Sequence, residues 1–230
     1  MHTVFAPSSG TLSEILAGGT LYKHRQQGDS VAICRVTYTP DLVRGQEGAV
    51  GAQRLGADLT CLGLPAMAVS RDTPAEVERL TACLRARPPD LGLTHWLEDA
   101  HPDHVASARR LIEALVPYAV AQGVDDVAAG RRAFPQVWTC DTYGDLGSRG
   151  AFDPAWSIDI SAVWEHKIDA LAAHQSQTPE PWTEIIRRQN AFYGARCHRQ
   201  SVEGFRRLPL AFGNNLPAYD SLPSALLLHG

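Results

Sequence analysis

Short β-branched or apolar runs alternate with stretches whose apolar residues recur at helical spacing. His2 to Ala6 reads as a strand stopped by Pro7, Ser8, Ser9 and Gly10. From Leu12 the pattern changes: Leu12, Ile15, Leu16 and Gly19 share a helical face, a polar run Lys23–Gln27 follows, and Gly28 ends the helix. Ser30–Thr37 is a second strand. A helix is expected from about Gln46 to Arg54, closed by Gly56, with a third strand over Leu59–Leu62. Pro74 opens a helix in which Val77, Leu80 and Leu84 align, and Pro88-Pro89 closes it before a strand at Leu91–Thr94. Asp103–Ala119 is helical through Val105, Ala108, Leu111, Ile112 and Leu115, residues 121–135 read as a loop or short helix, and Gln136–Cys140 as a strand. Ser161–His174 and Trp182–Tyr193 are amphipathic. Strand–helix–strand repetition with few hairpin signals predicts an α/β fold: a Rossmann-like three-layer sandwich with a mostly parallel sheet, as one domain over 1–230.

Composition narrows the function classes. With 230 residues and a net charge of −4, no basic stretch favours a nucleic-acid backbone as main partner. No apolar run approaches a membrane span. Five scattered cysteines without a C-x-x-C pair read as reduced thiols, and the N-terminus has no signal-peptide pattern, so a cytoplasmic protein is expected. A small-molecule substrate or ligand is the expected partner, and a homo-oligomer is compatible with the sequence.

In open parallel sheets ligands bind beyond the carboxyl ends of the strands, here the loops at 7–13, 38–46, 63–73 and 95–103. The last is the most loaded: Thr94-His95-Trp96-Leu97-Glu98-Asp99-Ala100-His101-Pro102-Asp103-His104 holds three histidines and three carboxylates. His101 and His104 stand three apart where a helix begins, a spacing that lets both imidazoles face one cleft and suits a divalent metal or acid–base work. The plainer alternative has Asp103 capping the helix and the histidines at the surface, held by Glu98 and Asp99.

That stretch resembles the second motif of the LmbE-like (PIG-L) deacetylases, zinc enzymes that remove acetyl groups from N-acetylglucosamine-type substrates and related amides. The likeness continues in Val4-Phe5-Ala6-Pro7 with Glu14–Leu21, in Arg44-x-x-Glu47 and Arg54-Leu55-Gly56, and in Asp159-Ile160-Ser161 through Lys167 to Gln177. Near the end, Phe192-Tyr193-Gly194 and Glu203-Gly204-Phe205 also match. The departure is at the first motif. Where the family has His-Pro-Asp-Asp-Glu, this chain has Ser8-Ser9-Gly10-Thr11-Leu12-Ser13-Glu14. Of the three zinc ligands that the resemblance implies, only His104 remains. The family's substrate loop is also shortened, to Tyr38-Thr39-Pro40-Asp41.

A catalytic zinc needs three protein ligands and an open position, so zinc is expected to be absent or weakly held. Glu14 is either a replacement ligand or, with Thr11, half of a capping box. Ser8 and Ser9 before a helix N-terminus offer an anion-friendly cradle for substrate. Arg44 and Glu47 contact either substrate or each other, and Trp96 either stacks on a sugar or packs beneath its loop. Two functions follow as expectations. One is a divergent hydrolase of an N-acyl amino-sugar or related small natural-product amide, in which His104 holds a rebuilt metal, Asp103 and Glu14 assist and His101 stabilises the oxyanion. The other is a family member that has lost zinc-dependent hydrolysis, either a ligand-binding pseudoenzyme or a metal-free repurposed enzyme.

Overall fold

The computed structural model describes residues 3–8, 12–37, 42–65, 74–128 and 135–210. In chain order these form β1 (Thr3–Ser8), α1 (Leu12–Gln26), β2 (Ser30–Thr37), α2 (Val43–Arg54), β3 (Asp58–Leu64), α3 (Pro74–Ala86), β4 (Leu91–Thr94), α4 (Pro102–Ala128) and β5 (Gln136–Cys140). A small hairpin, β6 (Leu146–Gly147) and β7 (Gly150–Ala151), precedes β8 (Trp156–Asp159), α5 (Trp164–Leu171), α6 (Pro179–Arg196) and β9 (Val202–Arg207). The seven-stranded sheet runs β3-β2-β1-β4-β5-β9-β8. The first five strands are parallel; β9 pairs antiparallel with β5, and β8 antiparallel with β9.

Strand alternation explains the three layers. Val4, Ala6, Val31 and Ile33 pack with Ile15, Leu16 and Leu21 of α1, Leu55 beside α2 and Trp164 and Leu171 of α5. The intervening Phe5, Ala32, Cys34 and Val36 face Leu80 and Leu84 of α3 and Leu111 and Leu115 of α4. A strand that is apolar on both faces must be covered twice, which is why β1 and β2 read as nearly continuous apolar runs. Among the described residues, no helix is long and apolar enough to cross a membrane.

Chain order reverses at β1: the first crossovers lead outward to β2 and β3, the next return to β4 on its other side. The ends of β1 and β4 therefore flank a switch point, the place where open α/β sheets bind ligands. The Thr94 hydroxyl, donating to the Pro7 carbonyl at 3.3 Å, ties these two ends together.

Several bounds differ from the sequence reading. Helix α2 starts at Val43, three residues early, and α4 continues to Ala128 through Pro117, taking in part of the expected loop. Strands β8 and β9 and the hairpin have no counterpart among the elements expected from periodicity. Strands β8 and β9 make the main sheet mixed at one edge, and the hairpin is a separate two-stranded sheet.

Candidate active site

The loop after β4 turns back on itself at the switch point. The Asp99 carboxylate organises the turn: Oδ1 accepts the His101 backbone N–H at 2.7 Å, and Oδ2 accepts from His104 Nδ1 at 2.9 Å. Asp99 and His104 are both 4% exposed, so this charge-assisted bond is shielded from water. It fixes the His104 ring with Nδ1 protonated and Nε2 as the remaining lone pair. From the other side the hairpin holds the loop, through a bridge between Asp99 and Gly147 and a 2.6 Å bond from the Ser148 N–H to the Glu98 carbonyl.

Three imidazoles stack here. His95 and His104 have ring centroids 4.3 Å apart at 17°, and His104 and His101 are 4.4 Å apart at 21°. The stack runs from the fully buried His95 through His104 to the half-buried His101. Burial, and then the neighbouring His104 and His101, hold the His95 imidazole well below its ordinary pKa. His101 is also lowered, by burial and by His104, against the opposing pull of Asp103 and Asp99. His101 Nδ1 accepts the Asp103 backbone N–H at 3.2 Å, so a neutral His101 carries its proton on Nε2. The stacking thus brings His101 and His104 together. Asp103 is buried in the first turn of α4, where a carboxylate favours the helix dipole.

Candidate ligand atoms of His95, Asp99 and His104 lie within 4.8 Å of one another, a partial cluster of the right donor types for zinc. Its orientation does not fit. Zinc sits in the plane of each imidazole it binds, about 2.0–2.1 Å from nitrogen. Rings stacked face to face at 17° have planes that do not converge beside their nitrogens, so His95 and His104 cannot both bind one ion as placed. Asp99, bonded to His104 Nδ1, stands where a carboxylate orients an imidazole. The zinc expectation needed ligands beyond His104; the structure supplies donor types in His95 and Asp99 and withholds the geometry.

Other expected site residues are dispersed. Ser8 is buried at the end of β1 and shares with His95, Thr94, Ala17 and Cys140 a cavity of about 10 Å³, room for roughly one water. Ser9, Gly10, Thr11, the side chain of Glu14 and the 38–41 loop lie outside the described part. Glu47 is turned to the α5–α6 connection, both oxygens accepting from Ser176, its N–H and hydroxyl at 2.6 Å each. The exposed Arg44 offers its carbonyl to Arg35 Nη1 at 2.9 Å. Trp96 is buried beneath the hairpin: its ring meets Phe152 edge-on at 5.2 Å, and a Cβ at Gly147 would fall 2.1 Å from it. His95 and Asp99 stand in the motif, but the alternative that puts the histidines at the surface fails for His95 and His104, which are buried, and of the two carboxylates it offered as partners the turn gives His104 Asp99. Tyr143, 5.6 Å from His104, comes from the turn after β5 and carried no signal in the sequence.

No protein-family model matches the sequence. Solved structures share the fold. The chain is similar to the conserved protein TT1542 from Thermus thermophilus, at 24% identity and a TM-score of 0.73, covering 92% of this chain and 97% of that one. GalB, the 4-carboxy-2-hydroxymuconate hydratase of Pseudomonas putida KT2440, aligns at 18% identity and a TM-score of 0.74 over 94% of this chain and 100% of its own. The N,N'-diacetylchitobiose deacetylase of Pyrococcus horikoshii aligns at 23% identity and a TM-score of 0.69, covering 90% and 84%. At these identities the likeness establishes a common α/β sandwich.

Proposed function

We propose that the crevice at the ends of β1 and β4 is the active site of a divergent LmbE-like (PIG-L) hydrolase. Its substrate class is an N-acyl amino-sugar or related small natural-product amide, and the Asp99–His104 pair is its proton-transfer centre. One observation carries this reading: the shielded 2.9 Å bond between Asp99 and His104, placed where this fold binds ligands. Asp99 holds the imidazole in one tautomer. His104 Nε2 takes a proton from water as its oxygen attacks the acyl carbon, then returns it to the departing amine nitrogen as the C–N bond breaks. His101 Nε2–H is the donor assigned to the developing oxyanion. The single-domain organisation and cytoplasmic location expected from the sequence belong to this reading.

The parallel stacking of the imidazoles favours a second reading on the same residues: a metal-free site that moves protons during addition of water to an activated double bond. GalB, a hydratase on this fold, makes that class a concrete alternative. One assay series separates the two. Native chain and His104→Gln are incubated with N-acetylglucosamine derivatives and with unsaturated 2-hydroxy acids, following acetate release and loss of diene absorbance. Removing a general base should lower turnover about 10²–10⁴-fold. Acetate release that depends on His104 supports the hydrolase; diene hydration that depends on it supports the second reading. Turnover of either kind that His104→Gln leaves unchanged refutes both.

A further inference from the structure

A second space borders the loop after β4. Between this loop, the first turns of α4 and the tip of the hairpin lies a cavity of about 670 Å³. Small-molecule sites span roughly 300–1,000 Å³, so there is room for a ligand. Val105, Arg109 and Ile112 line it from one face of α4, at i, i+4 and i+7, and Leu97 joins them from the loop. Leu97, Val105 and Ile112 are each half buried and belong to neither apolar core, although α4 gives Leu111 and Leu115 to one of them. Apolar side chains that border a space of this size without joining a core are the usual lining of a ligand site.

The polar groups on the walls are unevenly matched. Arg110 is engaged: Nε donates to Glu76 at 3.1 Å and Nη1 to Glu113 at 2.5 Å. Asp99 accepts from His104 and from the His101 N–H. Ser148 donates both its N–H and its hydroxyl, at 2.6 and 3.1 Å, to the Glu98 carbonyl, which fixes the hairpin tip against the loop. Arg149, the next residue, comes no closer to Glu98 than 3.9 Å. Arg109 is exposed and has no ion-pair partner among the described residues. The guanidinium groups of Arg109 and Arg149 are therefore the donors left for a ligand, and their paired N–H groups match the two oxygens of a carboxylate. Glu98 and Asp99 on the same walls oppose a second negative charge, which favours a carboxylate over a phosphate dianion.

We propose that this cavity is a binding site for a small organic carboxylate, held by Arg109 and Arg149 with its apolar body on Leu97, Val105 and Ile112. Charge orients the ligand, and the apolar floor accounts for most of its affinity. The site does not depend on the hydrolase reading. It shares one wall with the proposed active site, because Asp99 borders the cavity and also orients His104.

The test is titration of the full chain with hexanoate at neutral pH, followed by calorimetry and by the methyl resonances of Ile112. Hexanol has the same body without the charge, acetate has the charge without the body, and hexyl phosphate has a dianionic head. Hexanoate should bind at least about tenfold more tightly than hexanol or acetate and should shift the Ile112 methyls. Arg109→Gln and Arg149→Gln should each weaken it about tenfold and leave hexanol unchanged, with Arg109→Lys recovering only part. Both arginines are exposed, and circular dichroism checks that each variant is folded. His104→Gln should keep hexanoate affinity within about twofold; its loss there would place the ligand at His104 and overturn the site. Hexanoate affinity that neither glutamine variant changes by more than about twofold overturns the proposal, as does an absence of hexanoate binding. Hexyl phosphate binding more tightly than hexanoate, with the same dependence on Arg109, overturns the carboxylate assignment. A change in sedimentation of Arg109→Gln with unchanged hexanoate affinity would make this face a contact between chains and overturn the proposal.

Discussion

Replacing Glu203 by glutamine should destabilise the chain by about 3–5 kcal/mol, because it strands a buried cation. Lys167 and Glu203 are both fully buried, with Nζ and Oε1 2.8 Å apart. Lys167 also donates to Asn190 Oδ1 at 2.8 Å, and Glu203 accepts the backbone N–H groups of Gly19 at 2.9 Å and Thr20 at 2.8 Å. The ion pair thus joins α1, α5, α6 and β9. A glutamine retains one acceptor, points an N–H₂ at the remaining donors and removes the counter-charge. Domains have about 5–15 kcal/mol of net stability, so the loss is a large share and should be plain in urea unfolding at pH 7. The pH dependence supplies a sign. Burial lowers the Lys167 pKa and Glu203 opposes this. Without Glu203 the folded state holds this proton less tightly still, while the unfolded lysine titrates near its ordinary value of about 10.4. Between the two pKa values the unfolded state binds more protons, so stability must rise with pH. The deficit of Glu203→Gln should therefore shrink as pH climbs from 7 towards 10. Adding Lys167→Met should recover part of it, since no charge is then stranded. A deficit under about 1 kcal/mol at pH 7, or one that widens with pH, would refute the reasoning.

Chain purified without chelator should hold well below one zinc per molecule, since the His95 and His104 planes do not converge; elemental analysis returning one tightly held zinc would contradict this. Gly19→Ala should cost about 1–3 kcal/mol by overpacking, its Cβ falling 2.7 Å from Ile160, with Ile160→Val relieving part; an unchanged melting temperature would count against it. Cys83 should be alkylated before Cys140 at pH 7: a hydrogen bond from Cys34 lowers its pKa to about 7, while burial drives Cys140 far up. Peptide mapping that finds Cys140 modified before Cys83 would refute that ranking.

Three strands are specified by local sequence. Ser30–Thr37, Leu91–Thr94 and Gln136–Cys140 occupy the expected bounds. Their apolar runs and flanking breakers are properties of consecutive residues, and they suffice for a parallel sheet covered on both faces. Strand β9 escaped because Val202-Glu203-Gly204-Phe205 has a charge in its middle, and that charge is tolerable only opposite Lys167, 36 positions away. Lys167, Tyr193 and Glu203, in late segments singled out in the sequence, prove to be members of buried networks that brace the sheet edge and the turn after β5.

The candidate site divides along the same line. The sequence alone determined that histidines and carboxylates crowd the loop after β4 and that the Ser8–Glu14 segment holds no histidine or aspartate, because both are facts of adjacency. Which carboxylate serves which histidine was decided by the turn, which pairs Asp99 with His104, leaves Glu98 carrying the hairpin through its carbonyl, and stacks His95 behind. The aromatic neighbour Tyr143 was decided later still, by the packing of α6 against the turn after β5. Ring orientation and long-range pairing depend on how separately formed elements meet, and that information exists only once the chain has folded.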